Sequence, residues 1–305
     1  KARQYDRRFF SRGIQPHVYA IAESNYVDSF ALEYFCNGDA KLKKAMDTII
    51  SELHDAKEYG SILTVTPQDW SALYARFAEI KEDIHISREM ALRDLLPLVQ
   101  VAELLSQKYD TVVTNPPYLS VSGLNVEVSE FIKKTYPDSK NDLYSVFIER
   151  CHSLTKKFGL QAMITQQAWM FTALYEHLRI KLKSTSIVNL LQLGAHAFDE
   201  IGGEVVQTAA FVIRNMPSGK YKGVYMDLTD GASEKQKEKF FISHINMYVT
   251  EYSDFDGVPN TSMAYWLSQQ ALRDFSAQKI SQIATTREGM TTADNESFLR
   301  EWHEV

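Results

Sequence analysis

The residues with the clearest chemical potential are Thr114-Asn115-Pro116-Pro117-Tyr118, which directly follow the largely apolar, β-branched run Tyr109-Asp110-Thr111-Val112-Val113-Thr114. Two prolines cannot continue a central strand, so the chain must turn at Asn115, and chemistry often sits where a buried strand ends. Asn115 offers an amide oxygen. Pro116 offers a carbonyl acceptor with no N–H donor, and its ring fixes the turn, which Pro117 stiffens further. This set suits a planar amine such as adenine N6, whose lone pair is delocalised into its ring. Two acceptors can hold both N–H groups and draw the nitrogen toward tetrahedral geometry before a methyl group is attacked in line. No strong base is required, because the proton leaves after the nitrogen has become cationic. Tyr118 is placed as an aromatic platform, which returns about 1–3 kcal/mol per base toward the cost of taking a base out of a duplex. The bland alternative is a proline-stiffened turn leaving a sheet, with Tyr118 as ordinary packing.

Other chemistries find little support. The sequence holds no GxSxG, P-loop or HExxH, and Cys151 and His152 are neighbours that point in different directions on a helix. Cys36 and Cys151 lie far apart and outside any zinc spacing, so they read as free core thiols.

The elements that must carry the turn alternate along the chain. A short strand is expected at His17–Ile21, and an amphipathic helix over Lys41–His54 with Asp39 as its N-cap. A long helical tract over Gln68–Gln107 is expected to break at Pro97. After the strand Tyr109–Thr114, Asn141-Asp142 caps a helix that buries Leu143, Phe147, Ile148, Cys151 and Leu154. The strand Leu160–Thr165, a helix over about Met170–Lys183, and the strands Ile187–Leu193 and Val205–Arg214 follow. Residues 194–204 are too few and too glycine-rich for a crossover helix, so the last two strands are expected to pair antiparallel. The fold class expected is α/β: an incomplete Rossmann-like methyltransferase sheet, mostly parallel with an antiparallel final strand, flanked by helices. Pro217, Gly219 and Gly223 mark an expected boundary, with a more polar region beyond it.

With 305 residues, 45% of them hydrophobic, the chain can bury a sizeable core. No apolar run reaches the roughly 20 residues that span a bilayer, and the opening residues lack a signal-peptide core, so no membrane partner and a cytoplasmic location are expected. The net charge of −6 requires any nucleic-acid binding to use local patches, such as Lys133-Lys134 or Lys181 and Lys183.

The Asn-Pro-Pro-Tyr turn after an apolar strand resembles the catalytic motif of amino-methyltransferases, chiefly the N6-adenine DNA methyltransferases. Lys140–Arg150, Met163–Met170, Leu193–Phe198 and Gly203–Val212 are similar to the adenine methyltransferases of BREX-type phage-defence systems. The resemblance implies S-adenosyl-L-methionine as cofactor, double-stranded DNA with a flipped adenine as substrate, and other defence-system proteins as possible partners. It gives Asn115, Pro116, Pro117 and Tyr118 catalytic roles. It puts Phe198 against the flipped base as a second aromatic, and Leu143 and Asp55 near the cofactor; core packing for Phe198 and Leu143 and a solvated acid for Asp55 are the plain alternatives. The glycine-rich loop and ribose-binding acid of such enzymes are not visible, so the resemblance implies that residues 1–215 are a catalytic domain without its cofactor-binding strands, inactive alone. Residues 216–305 then form a connecting segment toward a target-recognition domain, whose opening Arg287–Trp302 resembles. The same turn also serves enzymes that methylate protein glutamine or RNA, and a non-catalytic scaffold piece of a defence complex is the alternative outside enzymes.

Overall fold

Three aspartates start three of the N-terminal helices. Asp28 accepts from the Ala31 amide ahead of α1 (Ser29–Cys36), Asp39 from the Lys41 and Leu42 amides ahead of α2 (Ala40–Glu52), and Asp69 from the Ala72 amide ahead of α4 (Trp70–Lys81). Each satisfies amides that the first helical turn leaves without partners. The short α3 (Ala56–Tyr59) and α5 (Ser87–Met90) and the longer α6 (Leu96–Ser106) complete this unit. Its core holds Phe35, Met46, Ile49, Leu53, Leu73, Phe77, Leu98 and Val99. This computed structural model describes residues 16–197, 206–217, 219–275 and 284–285.

Two sequence expectations change here. No strand forms at His17–Ile21; instead Ile21 and Ala22 pack on the helical core as unpaired chain. Nor does Pro97 end the helical tract. The helix runs on from Ser87 to Ser106, and a five-residue π-turn, Ala91–Leu95, widens it just ahead of Pro97 to accommodate the ring and the missing N–H.

The second unit is built on a six-stranded sheet of order β1-β2-β4-β3-β5-β6. Its strands are β1 (Tyr109–Thr114), β2 (Thr155–Gln166), β3 (Ser186–Gly194), β4 (Thr208–Arg214), β5 (Lys222–Asp227) and β6 (Met247–Glu251). β1 pairs parallel with β2, and β3 parallel with β5, while β4 lies between β2 and β3 antiparallel to both. β6 pairs antiparallel with β5, so four strands run one way and two oppose them. The expected antiparallel pair is thus present, but β4 is not the last strand. The sheet continues past residue 215 through β5 and β6.

Between the strands lie α7 (Val126–Thr135), α8 (Leu143–Leu154) and α9 (Glu176–Leu182), followed by α10 (Glu234–Ile242) and α11 (Gln269–Asp274). One sheet face packs Met163, Leu190, Phe211, Ile213 and Tyr225 with Ile148, Cys151 and Leu178 from α8 and α9, and with Phe255 and Tyr265. α9 is shorter than the expected helix because the carbonyls of Trp169 and Thr172 accept from the buried Arg179 guanidinium, which also holds the Asn260 carbonyl. Arg150, likewise buried, donates to the carbonyls of Ser61 and Leu105 and so ties α8 to the helical unit. A charge removed from water persists only where such acceptors replace it. Among the described residues no helix is long and apolar enough to cross a membrane.

Candidate active site

β1 delivers Asn115 to the carboxyl end of the parallel β1–β2 pair, and the two prolines then turn the chain over α8. Pro116 is buried and Asn115 is exposed. The turn is held from behind: Leu143 N–H donates to the Leu119 carbonyl at 2.9 Å, and Val121 N–H to the Asn141 carbonyl at 2.9 Å. Ser120 and Asp142 form an isolated antiparallel bridge between the same segments. The start of α8 therefore fixes the register of the chain leaving the Asn115–Tyr118 turn.

Tyr118 is half-buried, and its ring meets Tyr144 edge-on, 6.2 Å between centroids. Tyr144 in turn contacts Tyr175 at 5.9 Å, and the Tyr175 hydroxyl donates to Asp142. The Tyr118 hydroxyl is buried without a hydrogen-bond partner among the described residues, and burial raises its pKa above the ordinary phenol value, so the ring stays neutral. The sequence reading missed Tyr144 and Tyr175. The signal was present: Tyr144, Ile148 and Cys151 recur at helical spacing and form the buried stripe of α8, whereas Leu143 and Phe147 are only half-buried.

The two proposed acceptors are free. Neither the Asn115 amide nor the Pro116 carbonyl makes a hydrogen bond among the described residues. Beside Asn115 the less covered sheet face opens into a cavity of about 490 Å³, lined by Val113, Ala162, Ile164, Leu191, Ala210 and Val212 among others. Val113 is 71% exposed, and β1 has no neighbour on its outer side among the described residues.

A cofactor carrying a ribose and an amino acid needs polar partners for both. The lining of this cavity contains no carboxylate and no glycine, so it does not by itself fit S-adenosylmethionine. Asp55 lies in the helical unit, where it receives Asn25 Nδ2 at 2.6 Å and contacts His54 Nδ1 at 2.8 Å. No hydrogen bond or ring contact joins it to the Asn115–Tyr118 turn among the described residues. Leu143 does reach that turn, through its backbone, while its side chain packs on the small core of Ile62, Val121, Val128 and Ile132. Phe198 lies outside the described residues. The end of β3 leading toward it is fixed by the buried Lys237, whose ammonium donates to the Leu193 and Leu228 carbonyls.

The chain is 35% identical over its whole length to an adenine-specific methyltransferase PglX of Lacticaseibacillus casei (strain Zhang), and 33% identical to an adenine-specific methyltransferase BrxX of Escherichia coli O9:H4 (strain HS). It covers 26% and 27% of those proteins, so it spans about a quarter of the length of the curated relatives it matches. Among solved structures, a nuclease-deletion mutant of the Type ISP restriction-modification enzyme LlaGI with a DNA substrate mimic aligns over 66% of this chain and 23% of its own, at 14% identity and a TM-score of 0.41. Residues 13–198, more than half of the chain, match a family of restriction-modification methylases, and the chain belongs to that family, Eco57I.

Proposed function

We propose that the full-length protein transfers a methyl group from S-adenosylmethionine to the exocyclic N6 of adenine in DNA, within a phage-defence or restriction-modification system. The observation that carries this reading is the pair of unpartnered acceptors, Asn115 Oδ1 and the Pro116 carbonyl, at the end of a parallel strand and beside an aromatic ring. An amine held by both acceptors loses the planarity that ties up its lone pair, and electrostatic stabilisation of this kind is typically worth about 10²–10³ in rate per donor or acceptor. Tyr118, braced by Tyr144 and Tyr175, keeps its ring in one orientation for stacking, and a base extruded from the duplex then meets a surface whose entropy is already spent. Bound cofactor supplies the electrophilic methyl group.

The free outer edge of β1 and the open face beside Asn115 can accept further strands and helices. We place the cofactor-binding elements there, since the described lining does not hold the cofactor unaided. The sheet reaches Glu251, and we place the passage toward target recognition after that residue. The relatives named adenine-specific methyltransferases support adenine over glutamine amide or RNA as the methyl acceptor.

The test is to incubate full-length protein and labelled S-adenosylmethionine separately with duplex DNA, RNA and a glutamine-bearing polypeptide, and to identify the labelled product by mass spectrometry. N6-methyladenine from the DNA arm is expected. Label found only in the RNA or polypeptide arm would overturn the assignment.

A further inference from the structure

Beside the catalytic turn lies a second, polar cavity of about 420 Å³. Its walls come from two segments that the backbone pins together. Ser120 and Ser122 follow Tyr118, and Lys140, Asn141 and Asp142 precede α8, with Lys133 added from the last turn of α7. The Val121–Asn141 and Leu143–Leu119 hydrogen bonds and the Ser120–Asp142 bridge preform the pocket. Ser120 Oγ and Ser122 Oγ lie 3.0 Å apart, two hydroxyls side by side at its edge.

Three lysines of the unit are held by carboxylates. Lys181 is paired with Asp138 and Glu149, Lys183 with Asp256, and Lys156 with Asp110. Lys133 and Lys140 have no carboxylate partner among the described residues. The one acid in the lining, Asp142, accepts the Tyr175 hydroxyl. Two ammonium groups against one carboxylate leave this preformed concavity net positive, and with its two hydroxyls it has the donor chemistry of an anionic oxygen site.

Resting on the adenine DNA methyltransferase reading, we infer that this pocket binds a backbone phosphodiester of the substrate strand, next to the nucleotide whose base reaches Tyr118. The reach is right. Two residues of chain span at most about 7 Å at ~3.3–3.6 Å each, so the backbone at Ser120 lies within a nucleotide's length of the backbone at Tyr118. A nucleotide that swings its base inward turns about its backbone and leaves its phosphates at the mouth of the site. Lys133 and Lys140 then neutralise phosphate charge, while the serines and the fixed loop set the register in which the base enters.

The experiment measures DNA affinity of the full-length protein against salt concentration for the wild type, Lys133→Gln/Lys140→Gln, Asn115→Ala, and Lys134→Gln as a control on the same helix outside the pocket. Each lost phosphate contact should reduce the slope of log K against log salt by about 0.9. The double variant, which loses the one phosphodiester contact, should therefore lose about 0.9 of slope and roughly fivefold in affinity near physiological salt. Asn115→Ala should keep the wild-type slope while losing methylation. A double variant whose slope matches that of Lys134→Gln, in a preparation whose wild type methylates adenine, would overturn the pocket and leave the function standing. A wild-type protein that neither binds nor methylates DNA would overturn both.

Discussion

At the scale of single residues, the proposed reaction divides the Asn115–Tyr118 turn and its surroundings into groups that would touch substrate and groups that hold them. On that proposal Tyr118 acts through its ring, because its hydroxyl is buried without a partner among the described residues. A buried hydroxyl with no hydrogen bond contributes a desolvation cost and nothing in return. Tyr118→Phe should therefore keep methylation within a few-fold and leave the melting temperature unchanged or slightly raised. Tyr118→Ala removes stacking of about 1–3 kcal/mol and should weaken methylation roughly ten- to hundredfold. Equal losses from both variants would show that the hydroxyl, not the ring, does the work. The cysteines give a separate check on burial. Both thiols are buried, and burial pushes Cys151 up to about 11 and raises Cys36 above its ordinary value. Folded protein at pH 8 should consume no thiol reagent at these two positions, and protein unfolded in guanidinium should consume two equivalents. Rapid labelling of Cys151 in the folded state would contradict the packing of α8 on the sheet.

At the scale of elements, the sequence was most legible where turn chemistry and strand chemistry met. The run ending at Thr114 was bounded by prolines and is β1, and the short connection after Gly194 correctly implied an antiparallel pair. β5 was hidden by Gly223, which read as a break. In the structure that glycine is what lets β5 approach β3: a Cβ at Gly223 would lie 2.5 Å from the Ile187 carbonyl oxygen. Gly223→Ala forces the strands apart and should destabilise the fold by about 1–3 kcal/mol, measured by denaturant titration. A neutral effect would mean that β5 is not held against β3 as described. The lost strand at His17–Ile21 has the opposite cause. A short apolar run does not declare whether it will pair in a sheet or pack on helices, and here only Ile21 of the run reaches the helical core while Val18 stays exposed.

At the scale of the whole molecule, stability depends on groups that folding removes from water. His152, on α8, is held below its ordinary pKa of 6.5, first by burial and then by Lys108 and Lys181. The unfolded chain takes up a proton near pH ~6.5 while the folded chain does not. Stability is therefore fully present above that pH and is lost as pH falls toward the folded value. The melting temperature should decline on going from pH 7 to pH 5, and His152→Gln should reduce the steepness of that decline. An unchanged profile in the variant would assign the acid sensitivity elsewhere. What the sequence could not express is the division of labour in space. Asn115 and Leu143 were both singled out and are joined by the pinned turn, whereas Asp55 is committed to Asn25 and His54 in the helical unit. Linear spacing does not reveal which loop closes on which, and the tyrosine chain behind Tyr118 emerges only when α8 is set on the sheet. The central claim is that Asn115 holds the amine during transfer, and it is tested most directly by single-turnover methylation of duplex DNA by full-length wild type and Asn115→Ala, with DNA affinity measured in parallel. The account predicts a rate at least about 100-fold lower in the variant with affinity within about twofold; a variant that methylates adenine at the wild-type rate would contradict it.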